Sequence, residues 1–239
     1  MSNMLKDRVA VVVGSSTGMG RATASSFAAA GARVVLAARR EDKLKELASQ
    51  IGDSALVCPT DVQDVLAVDR LMETTIDRCG QVDILVYATG TNIRQRSLEE
   101  LSHETWQMMM GTNLTGAFNC TKSVLPAMRK QQDGLIIYLS SCAVQLPDVS
   151  GVSYQATKHG MVGLAHGTFK EEQDHGIRTT VIFPGLTDTP LVLQRPVPTP
   201  PEMMAKALQP EDVADACLFV ASLPARARVP ELMLMPAGL

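Results

Sequence analysis

Cysteine is sparse. The 239 residues hold five, at positions 58, 79, 120, 142 and 217, and no two form a Cys-x-x-Cys pair. A scattered, odd-numbered set excludes a disulfide framework and a thiolate zinc site, and suits reduced thiols in a cytoplasmic protein. The four histidines (103, 159, 166 and 175) show no metal-ligand spacing, so no metal is expected. Basic charge is not in excess: 22 Lys and Arg face 25 Asp and Glu, for a net charge of −3. That balance argues against nucleic acid or an anionic membrane as partner. No apolar run approaches the roughly 18 residues of a membrane span. The opening Met-Ser-Asn-Met-Leu-Lys-Asp-Arg lacks the charged-then-apolar pattern of a secretory signal. There is no internal repeat, low-complexity tract or linker.

What is present is alternation. Val-Ala-Val-Val-Val closes the stretch Lys6 to Val13, a β-branched apolar run suited to a strand buried on both faces. A glycine-rich turn follows, then an Ala-rich helix from Arg21 to Ala30 closed by Gly31. Further strands are expected at Arg33–Ala37, Ala55–Cys58, Val82–Val86, Leu135–Leu139, Arg178–Ile182 and Glu231–Met235. Helices are expected at Glu41–Gln50, Val65–Arg78, His103–Lys130, Val152–Asp174 and Glu211–Ser222. Strand and helix in strict succession call for an α/β fold: a doubly wound parallel sheet of about seven strands with helices on both faces. One domain spanning residues 1–239 is expected. Within it, residues 188–210 hold six prolines, too many for one helix. They read as a loop or lid over the carboxyl edge of the sheet, where such folds bind ligands.

Two stretches carry chemistry. Gly14-Ser-Ser-Thr-Gly18-Met-Gly20 sits between the first strand and the first helix. Glycines there let the backbone turn tightly and approach a pyrophosphate, while the helix N-terminus offers free N–H groups. Downstream, Tyr154 and Lys158 are four residues apart, hence on one helix face. Alone, they could be a surface pair, or an acid and the charge that tunes it. A tyrosine with a free pKa near 10 needs about 3 to 4 kcal/mol of phenolate stabilisation to become a good base at neutral pH, and an ammonium could supply it.

The Gly-x-x-x-Gly-x-Gly spacing with Tyr-x-x-x-Lys well downstream resembles the short-chain dehydrogenase/reductase family. The resemblance covers nearly the whole chain. It includes Asp61 after the third strand, Asn113 in the long helix, Ser141 thirteen residues before Tyr154, and Pro184-Gly185 followed by Thr189 after the sixth strand. It implies a Rossmann-type sheet and hydride transfer between a nicotinamide and a carbonyl or alcohol. Tyr154 would be the general acid/base and Lys158 its tuning charge and a ligand of the nicotinamide ribose. Ser141 would steady the substrate oxygen, and Asn113 would interrupt its helix to hold a water in a proton relay. It further implies a dinucleotide site drawn from Gly14, Ser15, Thr17, Gly18, Met19, Gly20, Arg39, Arg40, Asp61, Val62, Gly90, Tyr154, Lys158, Pro184, Gly185, Thr187 and Thr189. Asp61 would meet the adenine edge, with Val62 lining that pocket, and Thr189 would hold the carboxamide end. Two positions depart from the family pattern. Tyr87-Ala88-Thr89-Gly90 stands where Asn-Asn-Ala-Gly is usual, leaving the fourth strand without two asparagine side chains. Val13 replaces a threonine before the first glycine.

Ala38 occupies the position where an acid would hold the ribose 2′-hydroxyl of NAD, and Arg39 and Arg40 follow. A guanidinium binds a 2′-phosphate that a carboxylate would repel. NADP(H) is therefore favoured over NAD(H), with Arg39 as main ligand and Ser15 or Arg40 assisting. Thr17 stands where some NADP-preferring relatives carry a second basic residue. Pocket walls are expected from Thr91, Asn92 and Arg94, from Val144 to Leu146, and from Leu186, Leu191, Gln194 and Arg195. The substrate would be a small or medium polar carbonyl or secondary alcohol. Two alternatives stand: a 3-oxoacyl-thioester reductase, which would need a basic carrier-docking patch such as Arg129-Lys130, and a non-catalytic dinucleotide-binding regulator. A homo-oligomer, tetramer or dimer, is implied by the resemblance.

Overall fold

The computed structural model of the protein describes residues 3–146 and 148–238. Seven strands form one sheet: β1 (Val9–Val13), β2 (Arg33–Ala38), β3 (Ala55–Pro59), β4 (Ile84–Tyr87), β5 (Gly134–Leu139), β6 (Ile177–Pro184) and β7 (Glu231–Leu234). Their order is β3-β2-β1-β4-β5-β6-β7, and every neighbouring pair is parallel. The helices are α1 (Gly18–Ala29), α2 (Glu41–Ile51), α3 (Val65–Cys79), α4 (His103–Met110), α5 (Gly116–Gln131), α6 (Val152–Glu172), α7 (Pro201–Met204) and α8 (Pro210–Ala221).

A parallel sheet needs a crossover between successive strands, and the crossover helices cover both faces. In β1, Val9, Val11 and Val13 join one core with residues of α3, α5 and α6. Ala10 and Val12 join the other core with residues of α1, α2 and α8. Burial on both sides is why β1 reads as an unbroken apolar run.

Boundaries moved where local chemistry differs from periodicity. β1 starts at Val9, not Lys6, because residues 3–7 turn and Asp7 takes a positive φ of 64°. α1 begins at Gly18, so the last glycines of the turn are already helical. Its end is as expected, with Gly31 at φ 95° just past the helix. The long helical stretch is continuous in space but contains a π-turn at Gly111–Thr115. The proline-rich segment forms a 3₁₀ turn at Pro190–Gln194 and the short α7.

The amino edge of the sheet is tied by ions. Arg8 Nη1 donates to Asp83 and to Asp133, each at 2.9 Å, and Arg178 Nη2 donates to Asp133 at 3.0 Å. Asp83 also accepts from the Val9 N–H at 2.7 Å and from Gln81 Nε2 at 2.8 Å. The carboxyl edge holds the functional features. There the strand order reverses between β1 and β4, which opens a crevice outside the strand ends.

Candidate active site

The glycine turn lies at the carboxyl end of β1. Gly14 has φ 94°, and a Cβ on it would sit 2.7 Å from the carbonyl carbon of Ala88. A Cβ on Gly20 would collide with the Gly14 carbonyl. These two positions therefore admit only glycine, and the backbone they form folds back on the N-terminus of α1. Beside it runs a cleft of about 480 Å³ lined by Gly14, Ser16 to Gly20, Ala38, Arg39, Arg40, Thr60, Asp61, Val62, Ala88 to Gly90, Thr112 and Thr189 to Leu191. Such a cradle fits an extended dinucleotide: N–H groups at the helix start for phosphates, cations at one end, apolar Val62 nearby.

The cleft ends at Gly90. A Cβ there would lie 3.4 Å from Lys158 Nζ and 3.9 Å from Asn113 Oδ1, so the missing side chain leaves these groups reachable. Tyr154 and Lys158 point the same way from α6, with the ammonium 5.6 Å from the phenol ring centroid. Lys158 Nζ donates to the Leu139 carbonyl at 2.8 Å. Burial depresses its pKa to about 8. Burial also lifts Tyr154 to about 12, with the Ser141 hydroxyl acting against it. Burial is the largest influence on both groups, and a strand carbonyl fixes the ammonium beside the phenol. Ser141 caps the short turn after β5, where its Oγ accepts from the Ala143 N–H at 3.2 Å and its hydroxyl faces the Tyr154 phenol.

Asn113 is wholly buried in the π-turn. Its Oδ1 accepts from the Thr91 N–H at 2.8 Å, and its Nδ2 donates to Thr91 O at 3.0 Å and to Thr157 Oγ1 at 3.2 Å. Thr157 in turn donates to the Tyr154 carbonyl at 2.8 Å. The π-turn shifts the helix register so that a side chain which would pack against helix neighbours reaches the loop after β4. Tyr87 supports this turn. Its hydroxyl donates to the Thr112 carbonyl at 2.5 Å, and Gly116 makes room, since a Cβ there would sit 2.5 Å from that oxygen.

A family model described as short chain dehydrogenase matches residues 8–196. The chain belongs to that family. An uncharacterized oxidoreductase of Staphylococcus haemolyticus is 34% identical over 97% of this chain and 98% of its own. A 3-ketoacyl-(acyl-carrier-protein) reductase from Brucella melitensis, complexed with NADH, superposes with a TM-score of 0.90 at 25% identity, covering 96% of this chain and 97% of that one. An alcohol dehydrogenase from the archaeon Thermococcus sibiricus, complexed with 5-hydroxy-NADP, gives 0.87 at 29% identity over 97% of each chain. The protein is thus a dehydrogenase/reductase with this family's parallel sheet.

Several short-chain dehydrogenase positions fall in the cleft: Gly14, Thr17, Gly18, Met19, Gly20, Arg39, Arg40, Asp61, Val62, Gly90 and Thr189. Others do not. Ser15 is fully buried, and its hydroxyl donates to Ala37 O at 3.4 Å, so Ser16 faces the cleft instead. Pro184 and Gly185 pair with the end of β7, and Thr187 turns its buried hydroxyl onto Gly185 O at 3.0 Å. They shape the loop without lining the cleft. Arg40, rather than Arg39, is tied to the turn: its Nη2 donates to Ser16 Oγ at 2.9 Å and Thr17 Oγ1 at 3.0 Å. Sequence reasoning missed Ser16 and Thr157, and named Tyr87 only as a departure from the family pattern. Only Ser16 had a local signal, its place inside the glycine turn. Among the described residues, no group of three or more His, Cys, Asp or Glu could hold a metal, and no helix is long and apolar enough to cross a membrane.

Proposed function

We propose that the protein is an NADP(H)-dependent oxidoreductase acting on a ketone/secondary-alcohol pair, with Tyr154 as general acid/base. The observation that supports this reading is that Lys158 Nζ and Asn113 Oδ1 lie beside Gly90 at the end of the cleft, with the Tyr154 ring next to that ammonium. When bound, the dinucleotide supplies or takes the hydride. The glycine turn would hold its pyrophosphate, Asp61 and Val62 its adenine end, and Thr189 its carboxamide end.

The chain's own groups handle the proton. Reduction of a carbonyl leaves an alkoxide that must be protonated. A phenol lifted to about 12 by burial carries its proton at neutral pH, so Tyr154 is poised to donate. Ser141, whose hydroxyl faces the Tyr154 phenol, steadies the developing negative charge on the same oxygen. Lys158, near 8, stays largely protonated at pH 7 and stabilises the phenolate formed when the proton leaves. Asn113 and Thr157 fix the helix face that presents Tyr154.

The cofactor preference rests on Ala38 and Arg40. No carboxylate stands at the end of β2, and the Arg40 guanidinium is already oriented by Ser16 and Thr17. A carrier-dependent thioester reductase is less favoured, because Arg129 is engaged by the buried carboxylate of Glu172. That removes half of the expected docking pair.

Two variants test the reading on a panel of carbonyls and alcohols. Tyr154→Phe is expected to lower kcat/KM by about a thousandfold or more while still binding NADPH by fluorescence. Undiminished turnover in that variant would remove the mechanism. Ala38→Asp should shift the NADP/NAD ratio of kcat/KM towards NAD by at least about tenfold. A wild-type preference for NAD would refute the cofactor assignment.

A further inference from the structure

Two loops flank the reacting end of the cleft, and both carry arginine. Arg94 and Arg96 follow β4, and Arg195 ends the 3₁₀ turn after β6. Arg94 Nη2 donates to Leu193 O at 3.3 Å, and Arg96 is anchored more firmly. Its Nε donates to Ile93 O at 2.7 Å and its Nη2 to Gln194 O. Arg96 is only 6% exposed, yet no carboxylate among the described residues forms an ion pair with it. Buried charges are ordinarily paired. Two carbonyls satisfy part of a guanidinium's five donors, and the one acid that acts on its charge, Asp148, does so without a direct ion pair.

The position of Arg96 gives that charge a direction. Its stem packs on Gly151, where a Cβ would come 2.7 Å from Arg96 Cβ. Gly151 caps α6, three residues before Tyr154. Burial is the main influence on both groups, but the Arg96 charge also acts to lower the Tyr154 phenol. Arg195 lies near enough to oppose the charge on Arg96 and to act on Cys142, the neighbour of Ser141. Asp148 is the acid that faces them; it is exposed, and its Oδ1 accepts from the Ser150 N–H at 2.9 Å. Two guanidiniums thus meet one solvated carboxylate in a protein of net charge −3.

We infer that Arg96, assisted by Arg195, binds an anionic oxygen group of the substrate, a carboxylate or phosphate held a few atoms from the reacting carbon. This rests on the reading of Tyr154 as the acid/base at this end of the cleft. A guanidinium pairs with such a group through two parallel hydrogen bonds. A site built around a buried polar group rejects analogues that lack its partner, because that group is then left unpaired.

The test compares 3-hydroxybutyrate with its methyl ester, and glycerol 3-phosphate with glycerol, as substrates for oxidation. One anionic member is expected to exceed its neutral counterpart by at least tenfold in kcat/KM, mostly through KM. Which pair does so separates carboxylate from phosphate. Arg96→Gln and the half-exposed Arg195→Gln should each reduce that preference at least tenfold; the second variant guards against misfolding of the first. A binding readout needs no turnover: thermal stabilisation of the NADP⁺-saturated protein by malonate or inorganic phosphate, against dimethyl malonate. Protection by an anion, lost in Arg195→Gln, supports the site even if none of the four compounds reacts, an outcome that would exclude only those four as substrates. Equal use of charged and neutral substrates, or no anion protection beyond that of the ester, overturns the inference and leaves the role of Tyr154 standing.

Discussion

Lys158 is a single residue with two opposed effects. Its ammonium is buried, and its pKa falls from 10.5 to about 8. Between those values the unfolded chain holds a proton that the folded chain has released. Stability therefore rises with pH across that window, and the full cost of the buried charge is felt below pH 8. The shift corresponds to about 3 kcal/mol at neutral pH, as an upper bound. Lys158→Met should recover part of it, less about 1 kcal/mol for the Leu139 carbonyl left without a donor. The expected gain is about 1–2 kcal/mol in urea unfolding at pH 7, shrinking towards pH 10, with turnover abolished. Equal stability at pH 7 would show that the ammonium is not paying a desolvation cost. Tyr154 behaves oppositely. Its raised pKa contributes stability that is complete below pH 10 and is lost as pH rises towards 12. At this scale the sequence was informative about identity and poor on environment. Tyr154 and Lys158 could be picked out by their spacing, and Ser141 and Asn113 through the family resemblance. The carbonyl that holds Lys158 belongs to a strand nineteen residues earlier, and no spacing rule reveals such a partner.

Elements were read well wherever periodicity was strong. All seven strands and the long helices were expected from the apolar pattern. The π-turn was legible only as an interruption implied by family resemblance, since one inserted residue per turn leaves no compositional trace. Its support came from the position that departs from the family pattern: Tyr87, fully buried at the end of β4, bonds to the turn's own carbonyl. Tyr87→Phe should cost about 1 kcal/mol and lower kcat severalfold with KM little changed, because Asn113 would be less firmly held. Gly116→Ala should be strongly destabilising in the native background and less so with Tyr87→Phe, since the added methyl meets the Tyr87 hydroxyl and also Val62 at 2.5 Å. Additive losses in that double-mutant cycle would mean the two positions do not share the space.

For the whole molecule, a parallel sheet with a core on each face follows from alternation, while the strand order is seen only in the structure. The ionic ties at the amino edge do not follow from alternation either, because they join Arg8, Asp83, Asp133 and Arg178 across as many as 170 positions of chain. Asp83 is nearly buried and accepts from three donors. Asp83→Asn should cost about 2–3 kcal/mol, discounted because Arg8 is half exposed; a loss below about 0.5 kcal/mol in denaturant unfolding would mark the cluster as decorative. Burial acts to raise Asp133, but the hydrogen bond from Arg8 and the charge of Arg178 outweigh it and hold it below 3.8. Its contribution is complete above that value and fades as pH falls through the acid range.

The fastening of the strands and the handling of substrate occupy opposite rims of one sheet. Loops on the chemical rim can therefore be lengthened, shortened or recharged over generations while the far rim goes on keeping the strands in register. A scaffold divided in this way can take on new substrates without first being stabilised afresh.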